Sequence, residues 1–216
     1  MNLENKKLIK SAYPSLILLV VLWSIHFLNL HYNLALFKHG IFPRNFNGLQ
    51  GIFFSPLIHS ADDIKHLFNN SVPLLILGWT LFFFYKKIAF QIFSYSWLVV
   101  GFLVWISARE SFHIGMSGVI YSLAFFLFFS GVFRKEKRLM AISLFVVFLY
   151  GSMIWGIFPY DSSISFESHF FGALTGIILA FFYKKEGATF NRKKTQWEIE
   201  EEMGIEPPDY ENNIYF

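Results

Sequence analysis

In the segment Gly115-Met116-Ser117-Gly118 a serine stands between glycines at the mouth of an apolar run, SFHIGMSGVIYSLAFFLFFSG, from Ser111 to Gly131. A serine in an apolar helix ordinarily hydrogen-bonds back to its own backbone. It becomes chemically useful only if a base and an anion-stabilising donor can reach it. An imidazole with an ordinary pKa near 6.5 can take the hydroxyl proton at neutral pH, and His169 in HFFGALTG is a candidate base. In HLFNN, His66 and Asn70 lie four apart, one above the other on a helix face. Serine, histidine and amide together are the minimum set for acyl transfer: a nucleophile, a base and a donor for the developing oxyanion. The Ser117 amide, at the start of its helix, would add a second donor favoured by the helix dipole. No Asp or Glu lies deep in an apolar run. Glu167, two positions before His169, points away from the imidazole on a helix, so the chemistry would run as a dyad.

These groups need elements to carry them. The chain has 216 residues, 55% hydrophobic and 15% charged, with 29 Phe and a mean hydropathy of +0.45. Soluble domains carry about 25% charged residues, so this composition is that of an integral membrane protein. The absence of cysteine excludes disulfides, thiol chemistry and Cys-ligated metal, and nothing in the sequence calls for a cofactor or metal. The net charge of +3 comes from short basic clusters between apolar runs, which mark topology and not a nucleic-acid face. Six spans are expected: Ala12 to Leu30, with Pro14 near its start, His66 to Tyr85, Ile88 to Ser107, about Gly115 to Phe133, Leu139 to roughly Phe158, and about Phe166 to Tyr183. Fourteen of the 18 basic residues fall on one side of that arrangement, from Lys6, Lys7 and Lys10 through Arg134 to Lys194. The positive-inside rule then puts both termini in the cytoplasm. The expected division is a cytoplasmic segment 1–11, a membrane domain 12–183 and a polar cytoplasmic tail 184–216, with a short amphipathic helix near Thr195 to Met203.

The one long connection, His31 to Lys65, is apolar and interrupted by Gly40, Pro43, Gly48, Gly51 and Pro56, which predicts short helices and turns lying in the headgroup zone. At about 1.5 Å per residue, Ser117, His169 and Asn70 each lie about 22–25 Å above the cytoplasmic basic cluster of their span. Three spans therefore place their polar groups at one depth, toward the outer surface. Below that depth the spans are almost purely apolar, which argues against a polar transport pathway. His169, Gly172, Gly176 and Ala180 share one face of the last span, and Gly118 and Ser122 line the fourth. Small residues permit close helix approach in lipid, so packing and site assembly become one event. Tyr121, one turn below Ser117, can stack on the imidazole.

Three motifs in order, GMSGVIY, HLFNN and HFFGALTG, resemble those of the rhomboid-family intramembrane serine proteases in their compact bacterial form. The resemblance implies an all-α polytopic membrane protein, a six-transmembrane-helix rhomboid-like bundle. It implies Ser117 as nucleophile, His169 as base, and His66 and Asn70 as oxyanion donors, with Gly115, Gly118, Tyr121, Gly172 and Gly176 supporting them. The implied activity is endopeptidase cleavage of transmembrane segments of single- or multi-span membrane proteins, in a bacterial inner membrane. Two positions depart from the family pattern: Phe54-Ser55 replaces an aromatic-Arg pair in the outer loop, and Ile114 replaces a second glycine before the serine motif. The alternative reading is a catalytically inactive rhomboid-like binding or quality-control protein. Substrate access is expected between spans two and five, where Trp79 or Phe82 would face Phe148 or Trp155, beneath a lid at Gly156 to Ser165.

Overall fold

The structure, a computed structural model, describes residues 3–149, 156–159, 164–187 and 195–205. Helix α1 runs Leu3–Tyr32. Three 3-10 turns, Leu36–His39, Phe46–Gln50 and Ser55–Leu57, and the single-turn helix α2, Gly51–Phe54, follow in the outer connection. Then come α3, Ile64–Phe84, α4, Ala89–Ser107, α5, Ser117–Arg134, α6, Lys137–Leu149, α7, Phe166–Phe182, and the tail helix α8, Gln196–Glu202. The chain is an all-α polytopic membrane protein. Large apolar side chains such as Val20, Phe90, Phe145, Phe148 and Phe182 face outward, an arrangement only a hydrocarbon solvent rewards.

Among the described residues four helices, not six, are long and apolar enough to cross a bilayer: α1, α3, α4 and α5. Helix α7 is apolar but has only 17 residues, about 26 Å of rise. Helix α6 is described for 13 residues, and residues 150–155 of the expected fifth span, Trp155 included, lie outside the described residues. Pro14 is also differently placed, inside α1, which begins eleven residues earlier. The basic first turns extend the helix because they have partners on α3. Trp79 Nε1 donates to the Leu8 carbonyl at 2.9 Å and to Ser11 Oγ at 3.0 Å, and the Lys7 ammonium sits 4.7 Å from the Phe83 ring centroid.

Helix α5 is the centre of the bundle: 61% of its apolar stretch is buried, against 22% for α1. Leu74, Leu77 and Leu81 of α3 pack with Leu123, Phe126 and Leu127 of α5 in one apolar core. Ser122 Oγ donates to Ser96 Oγ of α4 at 2.8 Å, satisfying two buried hydroxyls. The closest approach is between α5 and α7. A Cβ on Gly172 would lie 2.2 Å from the Gly118 carbonyl oxygen, and one on Gly176 would lie 2.3 Å from that of Ser122. The outer connection folds against α4. Trp97 Nε1 donates to the Ile52 carbonyl at 3.1 Å, Trp105 Nε1 to that of Asn45 at 2.9 Å, and the Arg44 guanidinium to that of Ala108 at 2.7 Å.

Candidate active site

Ser117 opens α5, and the turn before it is held on two sides by the outer connection. His113 and Ile41 exchange backbone hydrogen bonds of 2.8 and 3.0 Å. The Gly115 amide donates to the Ser55 carbonyl at 2.9 Å, and the Met116 amide approaches His59 Nε2 at 3.4 Å. Gly115 has φ +108, and a Cβ there would meet the His66 ring at 2.9 Å. Both conformation and space demand glycine at that position.

His169 lies in the first turn of α7, whose N-cap Ser165 accepts from the Ser168 amide. Its Nε2 is 2.8 Å from Ser117 Oγ, and its Nδ1 is 2.9 Å from the Gly156 carbonyl. A carbonyl only accepts, so the proton of a neutral ring sits on Nδ1 and the Nε2 lone pair faces the serine hydroxyl. Tyr121 stacks on the imidazole at a centroid distance of 4.2 Å and 8° between planes. Gly156 leaves room for this arrangement: a Cβ would lie 2.5 Å from Tyr121 Oη and 2.8 Å from His169 Nδ1.

A cavity of about 580 Å³ opens over these groups, lined among others by His66, Asn69, Asn70, Ser117, Tyr121 and His169. Asn70 is buried, and its Nδ2 donates to the His66 carbonyl at 2.7 Å, one turn back in α3. Of the residues singled out in the sequence, His66, Asn70, Ser117, Tyr121 and His169 line this space, and Gly115, Gly118, Gly172 and Gly176 do not. Gly172 meets Gly118 where α5 and α7 approach, and Gly176 continues the same seam one turn deeper. Glu167 is bonded away from the imidazole, to Arg109, yet it is 93% buried, so an acid does stand within the protein beside the site. Its burial follows from that pairing, which spacing along α7 cannot show.

Sequence reasoning placed Gly156 at the start of a lid but missed its carbonyl as the partner of His169, and it missed the roles of His59 and His113. The last two flank the serine turn, and their polarity beside an apolar run was the only signal available. In the outer loops, burial and the nearby His66 and His26 rings hold the His59 imidazole down at about 3, and burial likewise lowers that of His113. Both stay neutral and keep accepting nitrogens. Among the described residues no group of three or more His, Cys, Asp or Glu is placed to hold a metal ion.

The fold is a bundle of apolar helices with a polar cavity at the N-terminal ends of three of them. Residues 47–186 match the rhomboid domain. Uncharacterized proteins of Mycobacterium bovis and Mycobacterium tuberculosis are 30% identical over 152 residues, covering 66% of this chain and 62% of theirs. One of Mycobacterium leprae is 29% identical over 156 residues, covering 68% and 61%. The chain therefore spans somewhat less than two thirds of the length of these relatives. It belongs to the rhomboid family.

Proposed function

We propose that the protein is an intramembrane serine endopeptidase acting on transmembrane segments of other membrane proteins. The observation that carries this reading is the 2.8 Å contact between Ser117 Oγ and His169 Nε2, with Nδ1 anchored on the Gly156 carbonyl. Ser117 Oγ attacks the scissile carbonyl as its proton passes to Nε2. The Nδ1–H bond to Gly156 and the face of Tyr121 stabilise the imidazolium that forms. In the tetrahedral intermediate the oxyanion is met by the second Nδ2 hydrogen of Asn70, by the Ser117 amide and by the His66 ring. His169 then returns the proton to the leaving amine, and water entering from the outer side hydrolyses the acyl-enzyme.

The same reading takes the bundle as six spans, with α7 as a short sixth, both termini in the cytoplasm and the bilayer a bacterial inner membrane. Substrates are single- or multi-span proteins whose helix unwinds readily near the scissile bond, because a stable helix keeps its carbonyls in intrahelical bonds. Purified protein in liposomes, given several single-span reporters, should cleave at least one, and Ser117→Ala should not. A fluorophosphonate should label wild type and not Ser117→Ala. Cleavage surviving in that variant would overturn the assignment.

A further inference from the structure

Ser117 is the first residue of α5 and His169 the fourth of α7, so both stand at helix ends, where intrahelical bonding is least complete. The glycine seam sets how closely the two helices approach, but it lies below the reacting atoms. Something must hold the outer ends in register, and a connected set of bonds joins segment 109–113 to segment 164–168.

At its centre is His113, 1% exposed and lining the catalytic cavity. Its Nε2 lies 3.0 Å from the Arg109 carbonyl and 3.3 Å from Ser111 Oγ, so Nε2 carries the proton. Nδ1, 2.6 Å from Ser165 Oγ, must then accept the Ser165 hydroxyl proton. With that proton committed, Ser165 Oγ accepts from Ser168 Oγ at 2.7 Å and from the Ser168 amide at 3.4 Å. Ser168 precedes His169, and its carbonyl oxygen lies 3.1 Å from where a Gly118 Cβ would stand, beside Ser117. A second tie runs in parallel: Arg109 Nη2 donates to the Ile164 carbonyl at 2.6 Å, and the Arg109 amide to Glu167 Oε1 at 3.3 Å.

We propose that His113 is a positioning residue that, hydrogen-bonded through Nδ1 to Ser165, locks the outer ends of α5 and α7 at the offset at which Ser117 and His169 meet. It touches neither reacting atom. Its effect is on the near-attack geometry of the pair, where a displacement of about 1 Å costs about 100-fold in rate. The inference rests on the Ser117–His169 reading given above.

The test uses full-length protein in liposomes, with the rate of fluorophosphonate labelling of Ser117 and the kcat and KM for a cleaved single-span reporter. His113→Phe keeps the ring's bulk and removes both polar contacts. Ser165→Gly removes the hydroxyl at a residue type that still caps a helix tolerably. Each should slow labelling and kcat about 10- to 100-fold with KM nearly unchanged, and the double variant should be no slower than the worse single one, as for two ends of one bond. His113→Asn, whose Oδ1 takes the place of Nδ1, should recover most of the rate, whereas His113→Gln, which mimics only Nε2, should not. Additive losses, a change under about twofold in Ser165→Gly, or an Asn variant as slow as Phe would overturn the inference. Wild type labelled no faster than Ser117→Ala would instead sink the dyad reading itself, and this proposal with it.

Discussion

At Asn70 one amide hydrogen is committed to the His66 carbonyl, which leaves a single Nδ2 hydrogen to meet an oxyanion. Asn70→Ala should therefore lower kcat by about 100- to 1,000-fold, about 3–4 kcal/mol of transition-state stabilisation, with little change in KM. Steady-state cleavage of a reporter checks it, and a KM effect alone would make Asn70 a substrate clamp. His59 makes a different contribution. Its imidazole titrates at about 3 in the folded protein, against about 6.5 in an unfolded chain. Between those values the unfolded state takes a proton that the folded state refuses. The stability His59 contributes is thus complete above about pH 6.5 and falls as pH drops toward about 3. His113, also lowered by burial, adds to the same slope. Apparent melting temperature in detergent should decline across that window. His59→Gln, which keeps an acceptor for the Met116 amide but does not titrate, should flatten the decline.

At the scale of elements, the α5–α7 seam matters most. Gly176→Ala places a methyl 2.3 Å from the Ser122 carbonyl oxygen and 2.8 Å from the Phe126 nitrogen, both backbone atoms that cannot rotate away. The helices must separate, at a cost of about 1–3 kcal/mol in stability, and Ser117 moves from His169 as they do. Thermal unfolding and cleavage measured together should show activity falling by more than the unfolded fraction explains. Helix α3 presents a second lesson. Its Trp79 is occupied by α1, and Phe82 packs on Phe90 at the start of α4 with centroids 4.8 Å apart. Those partners belong to α1 and α4, and Phe82 also shares the apolar core with Leu139 and Val146 of α6. Phe148 is free of such packing, at 84% exposure.

For the whole molecule, the proposed division is between a membrane body and a polar tail. Thr195 and Glu198 close a capping box on α8, with the Thr195 amide 2.8 Å from Glu198 Oε2. Seven residues of helix carrying Glu198, Glu200, Glu201 and Glu202 cannot build a core of their own. Residues 206–211, with Pro207-Pro208 and the last acids of this tail, lie outside the described residues. Truncation after Lys194 keeps every basic residue of the anchor and should leave reporter cleavage within about twofold of the full chain, since substitutions remote from packed features act weakly. Activity lost with insertion intact would make the tail regulatory.

What the sequence determined by itself is what the solvent enforces. Apolar runs must be helices where hydrocarbon surrounds them, because unpaired amides cannot survive there. That constraint is local, and it is why the expected bounds of α3, α4, α5 and α7 lie within two residues of those found. The glycines of the seam were legible for the same reason, since a helix's period assigns each residue to a face. Tertiary structure decided what lies opposite each side chain. The Gly156 carbonyl that orients His169 is 13 residues away in the chain, Ser165 is 52 from His113, and Glu167 is 58 from Arg109. No periodicity relates such positions. Their contacts depend on where loops of irregular backbone cross the helix ends, and those paths are set by packing between elements, not by the local preferences of the residues within them.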